Sequence, residues 1–241
     1  MSRLSSEISR LYLPAPSQDA DGAWCLADAQ GHTRALVLEL ARPADWELLG
    51  QVWRGVQADL AWPAPAIAVN GVDGFALWFS LVDPVPVTTA AAVLQALRQR
   101  YLGQVPLDRL RRLPDGTQPA HMDAVPSLQG RVDQWSAFVA PDLAPVFADT
   151  PWLDIPPSQE GQADLLSRLA SIQRVEWLRA LDALGLSPTP AMAAPADPAA
   201  QTAAPLGPHT DPRRFLTEVM NNETVPLALR IEAAKALLSE A

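Results

Sequence analysis

The stretch AIAVNGVDGFALWFSLV, residues 66–82, decides the fold. Two apolar runs, residues 66–69 and 75–82, flank Asn70-Gly71-Val72-Asp73-Gly74, whose glycines and asparagine permit the positive φ of a tight turn. That combination predicts a β-hairpin. Upstream of it, Trp46, Leu49, Val52, Trp53 and Val56 recur at helical spacing up to about Leu60, and Pro43 suits a first helical position. Before that helix, residues 23–27 and the run TRALVLELA, residues 33–41, predict two strands joined across Gln30-Gly31. Downstream, Val93, Leu94, Leu97 and Tyr101 predict a second helix, capped by Thr88 or Thr89 and ending at Gly103. The order is ββαββα, an α+β fold.

The flanks add to this unit. Residues 5–13 predict a short amphipathic helix carrying Ile8, Leu11 and Tyr12, stopped by Pro14 and Pro16. Residues 134–139 predict a further strand and residues 143–147 a short helical turn. Leu165, Leu169, Ile172, Val175, Leu178 and Leu181 predict one long amphipathic helix over residues 160–184. The first domain thus spans residues 1–185. Residues 186–210 hold 6 Pro and 8 Ala with a single charge and no aromatic, a composition that predicts a disordered tether. Beyond it, residues 211–241 predict a helical hairpin. Asp211-Pro212 opens a helix presenting Phe215, Leu216, Val219 and Met220, and Thr224 opens another presenting Leu227, Ile231, Ala234 and Leu238. Two helices so short are marginal alone, which predicts that Phe215, Val219, Leu227 and Ile231 bind a protein partner.

The bulk composition narrows the function classes. The chain has 241 residues, a formal net charge of −9 and one cysteine. A single thiol excludes an internal disulfide, and the N-terminus lacks a continuous apolar stretch, so a cytoplasmic protein is expected. No run approaches the roughly 20 apolar residues of a membrane helix. Lys235 is the only lysine, so no Walker A loop can be written, and no GxGxxG, GxSxG or HExxH motif occurs. His32, His121 and His209 have no second ligand at metal spacing, so no structural metal is expected. Cys25, between Trp24 and Leu26, reads as an inert buried thiol rather than a nucleophile. Of the eight tryptophans, Trp24, Trp46, Trp53, Trp62, Trp78 and Trp135 fall on or beside core elements, so core packing is expected. Phe75, Trp78 and Phe79 stand on a strand of the sort that can present rings from a sheet face for base stacking.

A polyanion is repelled on average by this charge, so any nucleic-acid contact must come from a local basic patch. Arg98, Arg100, Arg109, Arg111 and Arg112 form one, and a solvated helix face with its following loop is the plainer account of it.

Across residues 33–139 the chain resembles the archaeo-eukaryotic primase-polymerase superfamily, particularly the small primases of plasmids and phages. In that family a strand ends in a hydrophobic triplet followed by two alternating acids; here Leu36-Val37-Leu38-Glu39-Leu40-Ala41 matches the first acid and has Ala41 in place of the second. The family's glycine turn leads into a strand with a histidine just before an aromatic; here Asn70-Gly71-Val72-Asp73-Gly74-Phe75-Ala76-Leu77-Trp78 is similar, except that Ala76 stands in the histidine's place. Leu107-Asp108-Arg109-Leu110-Arg111-Arg112-Leu113-Pro114-Asp115-Gly116-Thr117 looks like the family's basic loop, with Asp108 matching its third acid. The resemblance implies a primase/RRM-like mixed sheet with packed helices, and Glu39 and Asp108 as remnants of a metal site. Two-metal nucleotidyl transfer needs several converging carboxylates, so it also implies a domain without catalysis and without a cofactor. Magnesium or manganese would be used only if Asp73, Asp115 or Asp123 replaced the missing acid. Residues 211–238 separately resemble a short helical tail of phage small-terminase-type proteins, which suggests a prophage or mobile-element origin. Three functions follow as expectations: a non-catalytic protein that binds nucleic acid or a replication partner through Arg98 to Arg112, an assembly module with protein partners alone, or an active primase-polymerase.

Overall fold

The computed structural model describes residues 2–14, 23–116, 120–129 and 133–186. The tether and the helical hairpin expected over residues 186–241, with Phe215, Val219, Leu227 and Ile231, lie outside the described residues, save Leu186.

Helix α1 (Arg3–Leu11) starts at Ser2, whose hydroxyl accepts the Ser5 N–H at 3.1 Å, and buries Leu4, Ile8 and Leu11. Strands β1 (Ala23–Cys25) and β2 (His32–Ala41) precede helix α2 (Trp46–Leu60). Strands β3 (Ala66–Val69) and β4 (Gly74–Pro86) then form the hairpin, with Ile67 opposite Leu77 and Val69 opposite Phe75. Helix α3 (Val87–Tyr101) follows, then a 3-10 turn (Leu107–Arg109) and strand β5 (Leu110–Leu113). Strands β6 (His121–Asp123) and β7 (Ala137–Val139), a 3-10 turn (Ala144–Phe147), and helices α4 (Gln159–Ser167) and α5 (Arg174–Ala183) complete the described chain.

Five strands form one sheet in the order β5-β2-β4-β3-β7, and every pairing is antiparallel. The expected mixed sheet is therefore corrected. Side chains alternate across it. Leu36, Leu38, Leu40, Phe75, Leu77 and Phe79 pack with α2, α3 and α5 on one face. Val37, Ala68, Ala76, Trp78 and Phe138 pack with α1, α4 and residues of β1 and β6 on the other. With both faces covered, Phe75, Trp78 and Phe79 are at most 1% exposed, so their rings stack on the core and are unavailable to bases. Trp78 meets Tyr12 and Trp24 edge-on, at centroid distances of 5.2 and 5.9 Å.

Several local expectations are corrected. Strand β1 does not form a hairpin with β2: a single bridge, Ala27 to Thr33, joins the two segments, and β1 pairs instead with β6, Trp24 facing Met122. Helix α2 begins at Trp46 rather than at Pro43, because the Asp45 carboxylate accepts the Leu48 N–H at 3.0 Å. Neither Thr88 nor Thr89 caps α3; the Val87 N–H is satisfied by the Gly31 carbonyl at 2.9 Å, and no side chain caps the helix. The long helix over residues 160–184 is two helices. Between them Ile172 donates its N–H to Ser80 O at 2.8 Å and accepts from Val82 N at 3.1 Å, entering the sheet as a parallel bridge beside Leu81. The apolar series explains the break: from Leu169 to Leu181 it advances in steps of three, each falling about 60° short of a full turn at 100° per residue, so it drifts about 240° around a helix and cannot stay on one face. Val175 and Leu178 accordingly end up exposed, at 53% and 52%.

Candidate functional site

Glu39 is the one charged residue of the β2 core that is buried, at 8% exposure. Its position follows from alternation: it shares a face with Val37, faces Ala76 on β4, and faces Arg111 on β5. A carboxylate there must find partners, since burying an unpaired charge costs several kcal/mol. Asn70 Nδ2 donates to Glu39 Oε1 at 2.7 Å, and Arg111 brings a guanidinium nitrogen to 3.9 Å from Oε2.

The loop between β3 and β4 holds that asparagine. Asn70 Oδ1 accepts the N–H groups of Val72, Asp73 and Gly74, each at 2.9 Å, and Nδ2 also donates to Asp73 Oδ1 at 3.2 Å. Gly71 carries a φ of +81°, and a Cβ there would lie 2.8 Å from the Ser136 backbone nitrogen, so conformation and space both demand glycine. The turn is the one expected, but Asn70 works through its side-chain amide and not through a positive φ.

Around these groups opens a cavity of about 170 Å³, lined among others by Glu39, Asn70, Asp73, Arg111, Asp123 and Gln129. Three carboxylates and one guanidinium give it a mixed, predominantly acidic wall. The structure thus brings Glu39 together with Asp73 and Asp123. Asp108 does not line the cavity; it sits exposed on the 3-10 turn ahead of β5, where its carbonyl accepts a hydrogen bond from Arg42. Asp115 does not line it either. Among the described residues, no three His, Cys, Asp or Glu side chains lie together in a way that could hold a metal ion.

The five arginines do not form a single patch. Arg98 and Arg100 share the last turn of α3, but Arg98 is half-buried and donates to Val105 O at 3.4 Å, whereas Arg100 pairs with Asp59 at 3.0 Å. Arg109 donates to the carbonyls of Ala41 at 3.3 Å and Pro43 at 2.9 Å. Arg112 turns to the opposite side of β5 from Arg111, toward Gln95 of α3. Arg111 alone lines the cavity, and it also donates to His121 O at 3.3 Å. Reading the sequence missed Asn70 and Gln129 as cavity residues. For Asn70 a signal existed, because an asparagine opening a loop of two glycines is the residue type whose side chain closes such loops.

Electrostatic perturbation is clearest elsewhere. Hydrogen bonds from Tyr101 and Arg100 hold the Asp59 carboxyl below the ordinary aspartate range. Burial, helped by the bond to Asp59, pushes the Tyr101 phenol up to about 12. The sequence matches no family model and no curated protein.

Proposed function

We propose that this chain is a primase-like protein of a mobile element or prophage that no longer transfers nucleotides and instead binds nucleic acid or a replication partner. The observation that carries the reading is the state of Glu39. It stands opposite Ala76, the residue that occupies the histidine's place in the resemblance, and its carboxylate is tied to Asn70 and Arg111. An acid so engaged is a poor ligand for two metal ions, which need several carboxylates free to converge within about 4 Å of both. The order β2-α2-β3-β4-α3 over residues 32–101 is compatible with most of the primase-type unit, with β1 paired outside the sheet, and Arg111 and Arg109 flank the strand end as candidate phosphate contacts. On this reading the protein is cytoplasmic and needs no cofactor.

The test is a shift of labelled single strands by the full chain, together with primer synthesis in manganese and nucleotides. Binding that weakens with salt and loses affinity in Arg111→Ala, without any product, is the expected result. A different outcome has its own support, since Asp73 and Asp123 line the same cavity as Glu39: primer synthesis abolished by Glu39→Ala would identify an active enzyme using magnesium or manganese. Absence of binding even at low salt would sink the nucleic-acid reading. It would favour the assembly module, a role the internal engagement of all five arginines also suits.

A further inference from the structure

Once the internal contacts of the cavity at Glu39 are counted, acceptors are left over. Glu39 is 8% exposed, and Asn70 occupies only its Oε1. Among the described residues Oε2 accepts no hydrogen bond, and the Arg111 nitrogen nearest to it stands 3.9 Å away. Asp73 accepts from the Asn70 amide on Oδ1, and among the described residues no hydrogen bond or ion pair engages the Asp123 carboxylate. Arg111 is the one cation in the described wall against these three carboxylates, and part of its reach goes to the His121 carbonyl at 3.3 Å. A buried acceptor without a donor costs free energy, and a charged one costs more. The wall therefore favours a guest that brings N–H donors and positive charge together.

Geometry selects among cations. The three carboxylates do not lie together as metal ligands do, so a compact ion cannot meet them at once. An ammonium is also a compact, strongly hydrated charge, whereas a guanidinium spreads five N–H donors over a planar fork and is more weakly hydrated. Met122 and Val125, both buried, line the same cavity and offer apolar surface to the face of that plane and to the methylenes behind it. At about 170 Å³ the space is smaller than the roughly 300–1,000 Å³ of sites for drug-sized ligands and suits a single side chain. We propose that this cavity receives the guanidinium of an arginine presented by a partner polypeptide, its N–H groups donating to Glu39 Oε2, Asp73 and Asp123. One oxygen of Glu39 is too little for two metal ions and enough for one such donor. This goes beyond the function proposed above and holds whether or not the chain binds nucleic acid.

Titration of the full chain with Nα-acetyl-arginine amide over roughly 1–100 mM tests the proposal, followed through the side-chain amide signals of Asn70 and Gln129, both of which line the cavity. Both signals shift and saturate. The isosteric, uncharged Nα-acetyl-citrulline amide binds about 10-fold more weakly or worse, and Nα-acetyl-lysine amide about 3-fold more weakly. Asp123→Asn, at an exposed position, weakens arginine binding by about 3-fold or more, and Glu39→Gln by about 10-fold or more, with circular dichroism unchanged in both. Signals that never saturate overturn the proposal, as does citrulline amide binding as well as arginine amide, or Asp123→Asn binding as tightly as the parent. Free arginine binding about 10-fold more tightly than its blocked form would show that the charged ends are read, and would overturn the polypeptide source in favour of a small molecule.

Discussion

Asn70 uses both ends of its side-chain amide: the oxygen gathers three backbone N–H groups and the nitrogen bridges the carboxylates of Glu39 and Asp73. Asn70→Asp keeps the acceptor and converts the donor into a third negative charge against two others. The expected cost is ~2 kcal/mol or more, since a buried acceptor loses its donor and gains a like charge beside it. Urea denaturation of the variant measures it. A loss under ~0.5 kcal/mol would show that the amide nitrogen bridges no carboxylates. The turn itself was legible in the residue types at 70–74. The carboxylate it would reach was not, because Glu39 lies on another strand and only the register Glu39 to Ala76 brings it alongside.

At the scale of elements, the edges of the sheet are treated unequally. On β7, Phe138 donates its N–H to Gln162 Oε1 at 2.7 Å and accepts from Gln162 Nε2 at 2.9 Å, so one buried side chain of α4 stands in for a neighbouring strand. Gln162→Leu leaves both backbone groups buried and unpaired, with an expected loss of about 2–4 kcal/mol in chemical denaturation. A loss under ~0.5 kcal/mol would mean that water replaces the amide. Elements with a strong local period were legible: α2, α3 and the β3–β4 hairpin stand close to where their apolar spacing puts them. What escaped was settled by distant partners. The residues of β1 satisfy the rule for a hairpin strand, yet the partner that wins, β6, comes after β5. The helix break at Ile172 is stabilised by Ser80 and Val82 of β4, which no local pattern reveals. The arginine cluster misled for a related reason, since neighbours in sequence such as Arg111 and Arg112 leave a strand on opposite sides.

For the whole molecule, alkaline behaviour is a direct test of how the two layers are packed. The chain has two tyrosines, and both phenols are held above their ordinary range: Tyr101 up to about 12, by burial and then by Asp59, and Tyr12 higher still by burial. The fold therefore favours the neutral phenols. The stability this supplies is complete below the unfolded value, near pH 10, and drains away as pH climbs through 12. At about pH 10.5, absorbance at the tyrosinate wavelength should be small for the native protein and well developed for the urea-unfolded chain. Equal ionisation in the two states would place both rings in solvent and refute the packing.

Because helices blanket one side of the sheet while α1, α4 and the β1–β6 ribbon blanket the other, a newcomer reaches the strands themselves only around the rim. There the connections at the strand ends can be lengthened to change what is recognised without disturbing a single layer beneath.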